Sequence, residues 1–406
     1  MSTAPTDRMS PAADAARLRV LVAGLCSLML TMGVARFAYT PLMPLMQREA
    51  GLGVAEAGGL AAVNYAGYLS GAVLASLIGD LVLKDRLYRL GMVLAVLSTA
   101  LMGVADSLWL WAVSRFVAGL ATSGGMLLGT GLVLNWLMRH QYRSELGLHF
   151  SGIGIGMAGC AAAVLAMGAL GWDWRAQWWV FTGVGALLAV PALAWLPRPD
   201  TRGVTTSGTP LADRPPPPGF LPLFMAAYFC AGIGFVVSVT FIVAIVDRLP
   251  GLQGRGAWVF LVMGLTAAPA VIVWDRIARR LGDLDALVLC AALHVLGIVL
   301  PAGGTLATAL AGAVLFGATF IGLVSLVLTM AGRFYPTKPA KMMGRMTLTY
   351  GVAQIIGPAV TGWLAARSGG SYTGGLLGAA AVMVVGLALL GVLRQRGRQP
   401  RLPPSR

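Results

Sequence analysis

The sequence predicts an all-α integral membrane protein of twelve transmembrane helices, arranged as two pseudo-symmetric six-helix bundles. Three observations predict it. Apolar residues make up 57% of the 406 and charged residues only 11%, whereas a soluble globular protein carries about 25% charged residues. The chain therefore lacks the polar surface to cover itself in water. Its apolar residues fall in runs of about 20, the length a helix rising 1.5 Å per residue needs to cross roughly 30 Å of hydrocarbon. A proline-rich segment, PRPDTRGVTTSGTPLADRPPPPG, divides those runs six and six. Such composition excludes a soluble enzyme, and its hydrophobicity excludes an intrinsically disordered chain.

In order, the first six spans cover 19–44, 55–79, 88–105, 108–137, 146–170 and 175–196. The first follows a polar stretch and runs too long for the apolar core of a cleavable signal. The second contains Gly67 and Gly71, a small-xxx-small spacing that lets membrane helices approach closely. The third follows a short loop reading DRLYR from Asp85. The fourth carries RFVAGLATSGG, with Arg115 inside the span and a second glycine pair at Gly125 and Gly129. The fifth is rich in glycine (Gly152, Gly154, Gly156, Gly159), and the sixth opens on WDWRAQWWVF. The linker holds seven of the 22 prolines and forms neither helix nor core. Six further spans follow at 220–246, 256–274, 284–302, 305–332, 343–366 and 372–393. The loop between the eighth and ninth reads DRIARR from Asp275, echoing DRLYR about 190 residues earlier. The domains expected are a tail 1–18, a bundle 19–196, the linker 197–219, a bundle 220–393 and a basic tail 394–406.

The net charge of +15 is mostly topology. With both termini on the cytoplasmic side, 23 Lys and Arg fall inside and five outside, as the positive-inside rule requires. That predicts a multi-pass protein of the cell inner membrane with both termini cytoplasmic, its basic loops resting on anionic lipid. Nucleic-acid binding is excluded, because the basic residues sit in short clusters between apolar runs and form no solvated basic face. Cys26, Cys160, Cys230 and Cys290 lie in apolar stretches without paired spacing, so neither disulfide nor metal site is expected. No cofactor motif is present.

Two six-helix halves joined by a linker are the architecture of many secondary transporters. Over nearly its whole length the chain resembles the major facilitator superfamily. The resemblance rests on Asp85-Arg86 with Arg89, on Asp275-Arg276 with Arg279-Arg280, on the R-x-x-x-G pattern of Arg115 and Gly119, and on the tryptophan-rich sixth-helix entry. More narrowly, GVARFAYTPLMPLM in helix one and GRMTLTYGVAQIIGP in helix eleven resemble the bacterial YbfB/YjiJ-type branch. Helix five lacks the Gly-Pro pair of the antiporter signature, while Gly357-Pro358 sits in the related place of helix eleven, so symport and antiport both stay open. The resemblance implies alternating access, a role for Arg115 in proton coupling, and a latch in which Asp85, Arg86, Asp275 and Arg276 form a gating loop between helices.

Arg36 and Arg115 are the two basic residues inside spans, each about 10 Å from the outer end. A mid-membrane arginine costs roughly 2.5–3.5 kcal/mol on insertion scales. Either both snorkel outward or pair with acids at the outer ends, or they make a cationic cavity whose planar guanidinium forks match a carboxylate or phosphate. The substrate-binding candidates are Arg36, Tyr39, Asn64, Tyr65, Tyr68, Tyr350 and Gln354, polar or aromatic groups on otherwise apolar helices. His149 is the proton-relay candidate beside Arg115, since imidazole titrates near neutral pH. His294 is read as a packing residue. The expected function is a secondary active transporter for a small organic solute, favoured as an organic anion. It is proton-coupled, monomeric, without cofactor or metal, and not an enzyme. The alternative is a polytopic enzyme acting on a lipid-linked substrate, which needs clustered carboxylates or histidines. The one acidic cluster, Asp275, Asp283 and Asp285, has no histidine beside it.

Overall fold

The structure is a computed structural model that describes residues 11–104, 106–140, 146–199, 215–334 and 339–398. The expectations for 1–10, for 200–214 at the centre of the linker, and for 399–406 of the basic tail lie outside these residues. Every regular element among the described residues is a helix.

The first half contains α1 (Asp14–Glu49), α2 (Val54–Leu77), α3 (Leu81–Val104), α4 (Leu108–Leu137), α5 (Gly147–Ala169) and α6 (Trp174–Ala194). The second contains α7 (Phe220–Asp247), α8 (Gly256–Ala267 and Ala270–Leu281), α9 (Asp283–Gly303), α10 (Leu306–Ala331), α11 (Pro339–Arg367) and α12 (Thr373–Arg396). Ten of these are long and apolar enough to cross a membrane, and α8 makes an eleventh if its limbs form one span. The limbs meet at 48°, where Pro269 supplies no backbone N–H to continue the ladder. The remaining helix, α11, packs against α7 of its own half and α2 of the other.

Local chemistry sets the helix ends. Glu56 reaches back to accept a hydrogen bond from the Gly53 amide at 2.7 Å, and Asp173 accepts one from the Ala176 amide at 2.7 Å. Both carboxylates satisfy amides that a helix start leaves without partners. Gly282, at φ +90°, makes the reversal between α8 and α9, a conformation open to glycine because it has no Cβ.

Two helices carry a wide-turned segment. Met29–Phe37 of α1 and Gly124–Gly129 of α4 are π-helical, and the two segments face each other. Thr122 donates to the Thr31 carbonyl at 3.1 Å.

One sequence expectation is corrected here. DRLYR and DRIARR are not loops. The third helix starts at Leu81, earlier than expected, and Ala270–Leu281 is helical. Asp85, Arg86, Asp275 and Arg276, expected in a loop, are therefore helix residues. Asp80 accepts from the Val82 amide at 2.9 Å to start α3. The Asp85–Arg89 and Asp275–Arg279 pairs, each four apart, then sit on one helix face. Interleaved charge reads as loop in a hydropathy count, yet here it forms the first or last turns of a helix.

The halves meet along α2 against α11 and α5 against α8. A Cβ on Gly58 would stand 2.6 Å from the Pro358 carbonyl oxygen, and one on Gly154 would stand 2.4 Å from the Ala268 amide nitrogen. Backbone approaches backbone at both crossings. Of the glycines singled out in the sequence, Gly154 makes the second of these crossings, whereas Gly67, Gly71 and Gly125 pack against α4 or α1 within the first half.

Candidate functional site

A cavity of about 1330 Å³ lies between the halves. Its mouth carries Asp14, Arg17, Asp275, Arg276 and Arg279, at the end of the bundle where α1 begins and α12 finishes. We call this the basic end. Its depth is lined by Arg36, Tyr68, Tyr228, Phe235, Phe320, Tyr350 and Gln354, with Met32 and Ile153 among the apolar groups.

The opposite end is closed. Thr40 of α1 donates to the Val239 carbonyl of α7 at 3.1 Å, and the Gln47 amide nitrogen donates to the Tyr372 hydroxyl at 2.9 Å. Arg248 lies 5.0 Å over the Tyr372 ring, which also stacks on Phe241 at 4.5 Å. Burial raises the Tyr372 hydroxyl above its usual 10, opposed by the Gln47 hydrogen bond and the Arg248 charge. The phenol is therefore neutral at physiological pH. A separate cavity of about 790 Å³, lined in part by Gln47, Arg48, Asp247 and Arg248, lies at this end.

Arg36 is 4% exposed and projects from the π-helical segment of α1. Its guanidinium stands 4.4 Å from the Tyr65 ring centre and 5.0 Å from that of Tyr68, positions where ring quadrupoles attract a cation. Among the described residues it has no carboxylate partner, and its Nε has no hydrogen-bond partner. Arg115, 2% exposed, is occupied instead. Nη1 donates to the Ala35 carbonyl at 2.8 Å and Nη2 to the Arg36 carbonyl at 3.1 Å, while the group lies 4.8 Å over the Tyr39 ring. A π-helix pairs residues five apart, so carbonyls at its edge lose the usual donor, and Arg115 supplies one. Neither arginine snorkels to the surface or pairs with an outer acid.

The candidates read from the sequence separate into two layers. Arg36, Tyr68, Tyr350 and Gln354 line the cavity together. Tyr39, Asn64 and Tyr65 do not; they form the layer behind. Tyr39 donates to the Ala57 carbonyl at 2.9 Å and lies beneath Arg115. The Asn64 amide donates to the Arg115 carbonyl at 2.8 Å, and Tyr65 is a platform for Arg36. His149 is also off the wall, fully buried, but one of its ring nitrogens is 2.8 Å from the Thr130 hydroxyl, and Thr130 lines the cavity. His294 packs on Phe316 at 4.7 Å and bonds the Thr319 hydroxyl.

Asp275 and Arg276 stand at the cavity mouth, Asp275 paired with Arg279 of its own helix. Asp85 is buried and bonds Arg89, which also donates to the Leu193 and Leu196 carbonyls at 2.8 and 3.0 Å. That cation closes the C-terminal end of α6, where carbonyls lack donors. Arg394 of α12 pairs with Asp285 of α9 at 2.5 Å. This contact is the counterpart in the second half and links the corresponding helices. Neither clamp crosses between the halves.

Sequence reasoning missed Tyr228, Phe235 and Phe320. Tyr228 stacks on Tyr350 at 4.6 Å, and Phe235 stacks on Phe320 at 5.2 Å and on Tyr350 at 5.8 Å. The signal was present for Tyr228, a phenol in a very apolar helix, the same signal that marked Tyr350. Phenylalanine in an apolar span carries none.

Comparison with known proteins agrees with this architecture. A family model described as "Uncharacterised MFS-type transporter YbfB" matches residues 28–390. No curated protein matches the sequence significantly. Among solved structures, a crystal structure of a mutant of the nucleoside transporter NupG has a TM-score of 0.73 at 11% identity, covering 93% of this chain and 99% of that one. A second NupG structure has a TM-score of 0.69 at 12% identity, covering 95% and 100%. At such identity the likeness is one of fold.

Proposed function

The chain belongs to the YbfB-type family of MFS transporters, and from that premise we propose that its cargo is a small organic anion. It is a multi-span membrane transporter and not an enzyme. The observation that carries the anion reading is Arg36: a buried guanidinium at the head of the cavity with no carboxylate beside it among the described residues. The cavity's only carboxylates among the described residues, Asp14 and Asp275, are at its mouth. A buried charge without a partner costs several kcal/mol, so an anionic ligand gains both the ion pair and relief of that cost. A nucleoside, the cargo named for the structural neighbours, would use the aromatic wall and Gln354 but leave Arg36 without counter-charge.

Transport proceeds by alternating access, and this structure is the state open at the basic end. The excess of Lys and Arg there makes that end cytoplasmic, in the inner membrane, with a monomer as the working unit. Proton coupling runs through His149, the imidazole that reaches the cavity wall by way of Thr130. Arg115 has a supporting part: bonded to the carbonyls of Ala35 and Arg36, it holds the segment that bears Arg36.

Uptake into proteoliposomes tests the reading. Arg36→Ala is expected to abolish anion uptake and anion-induced thermal stabilisation, with Arg36→Lys retaining a fraction. A neutral or cationic compound bound far better than any anion, with binding intact in Arg36→Ala, would sink the proposal. For coupling, His149→Gln is expected to keep the Thr130 contact and flatten the dependence of uptake on an imposed pH gradient.

A further inference from the structure

We infer that the cargo is an aromatic monocarboxylate, its carboxylate held by Arg36 together with the phenol hydroxyls of Tyr68, Tyr228 and Tyr350. The inference rests on the anion reading above and narrows it. Tyr68 comes from α2 beside Arg36, whereas Tyr228 and Tyr350 come from α7 and α11 in the other half, and all four line one cavity. None of the three hydroxyls bonds another described residue, and none is a sealed polar atom, so each opens on the cavity. Three neutral O–H donors and one cation suit one negative charge. A carboxylate accepts up to about four hydrogen bonds on its two oxygens, which this set can supply. A phosphate dianion would need a second cation, and the other membrane-embedded arginine, Arg115, is spent on two backbone carbonyls.

The rest of the lining decides the body of the cargo. Tyr228, Tyr350, Phe235 and Phe320 form a continuous stack from the second half. A planar ring extends such a stack by offset or edge-to-face contact, geometries a saturated ring does not offer. The first half thus holds the charge and the second holds the ring, with two phenols from the second half reaching across to the same carboxylate. A ligand with both parts ties the halves together.

The test is calorimetric titration of the purified full-length protein with benzoate, indole-3-carboxylate, cyclohexanecarboxylate, benzamide and phenyl phosphate. The aromatic monocarboxylates are expected to bind several-fold more tightly than cyclohexanecarboxylate. Tyr228→Phe and Tyr350→Phe keep the stacked rings and are expected to weaken carboxylate binding about tenfold each, with benzamide unaffected. If both Phe variants bind benzoate like the parent while Arg36→Ala does not bind it, the cradle is wrong and the anion reading stands. Tighter binding of phenyl phosphate than of benzoate, still dependent on Arg36, overturns the monocarboxylate class alone. Equal binding of benzoate and cyclohexanecarboxylate overturns the aromatic body. Benzoate binding unchanged in Arg36→Ala, or no binding by any carboxylate at millimolar concentration, removes the anion reading and this inference with it.

Discussion

Replacing Arg115 separates support from transport chemistry. Its guanidinium makes two hydrogen bonds, at 2.8 and 3.1 Å, to consecutive carbonyls of the π-helical segment in α1. A buried hydrogen bond from a charged donor contributes about 1.5–3 kcal/mol, so the pair is worth about 3–6 kcal/mol. Against this stands the cost of keeping the cation away from water, which Arg115→Met relieves. With that relief at about 2–3 kcal/mol, the net loss for Arg115→Met is about 1–3 kcal/mol. Arg115→Gln, with a donor for one carbonyl, is expected to lose about half as much. The assay is thermal unfolding of the detergent-solubilised protein, run beside anion binding. The expected order of stability is parent, then Gln, then Met, with binding falling in the same order because Arg36 shifts with the segment. A fully stable Arg115→Met that has lost only the proton dependence of uptake would refute the bracing argument and assign Arg115 to coupling.

Other outcomes follow from contacts between the halves. Gly58→Val places a branched side chain where a Cβ already meets the Pro358 carbonyl oxygen at 2.6 Å, and is expected to stop transport in a vesicle assay while the protein still inserts. Tyr372→Phe removes the 2.9 Å bond from Gln47, worth about 1 kcal/mol. Labelling of cysteines placed along the closed end should then rise about fivefold in rate. The same hydroxyl has a raised pKa through burial. Its contribution is complete below the ordinary value of 10 and is lost as pH rises through the higher folded value, so accessibility of that end should be flat between pH 6 and 9 and climb only under stronger alkali. Arg89→Ala strips the Leu193 and Leu196 carbonyls of their donor; it is expected to lower the melting temperature by a few degrees and leave anion affinity unchanged.

The helical class and division into halves were legible because hydrocarbon thickness imposes a length on apolar runs, and proline marks the break. Boundaries failed where charge and helix coincide: Asp85 and Arg89 satisfy each other across one turn, so a polar stretch that a hydropathy window rejects is still helix. Arg36 was legible because a charge in an apolar run has few explanations. Tyr39, Asn64 and Tyr65 show the limit of that logic. A polar side chain on a membrane helix must meet a partner, but sequence does not say whether the partner is cargo or a neighbouring carbonyl, and for Tyr39 and Asn64 it is a carbonyl. Phe235 and Phe320 gave no sign, since a ring that faces a cavity and a ring that faces lipid have the same composition.

The wide turns of α1 make the helix sensitive to residue count. An α-helix advances about 100° per residue, and a π-helical stretch absorbs extra residues without breaking the rod. Deleting one residue between Met29 and Phe37 would let the segment tighten to ordinary α geometry with the flanking turns near their present phase, whereas a deletion within the α-helical part of the same rod would turn one side by about 100° against the other. Substitutions keep every side chain at its angle, whereas a deletion in the wide turns rotates the segment's own side chains, Arg36 among them, against the flanks. Arg36 would then face a different neighbour with every side chain of the cavity still encoded. Helix one is therefore expected to vary among homologous chains by replacement and to hold its length.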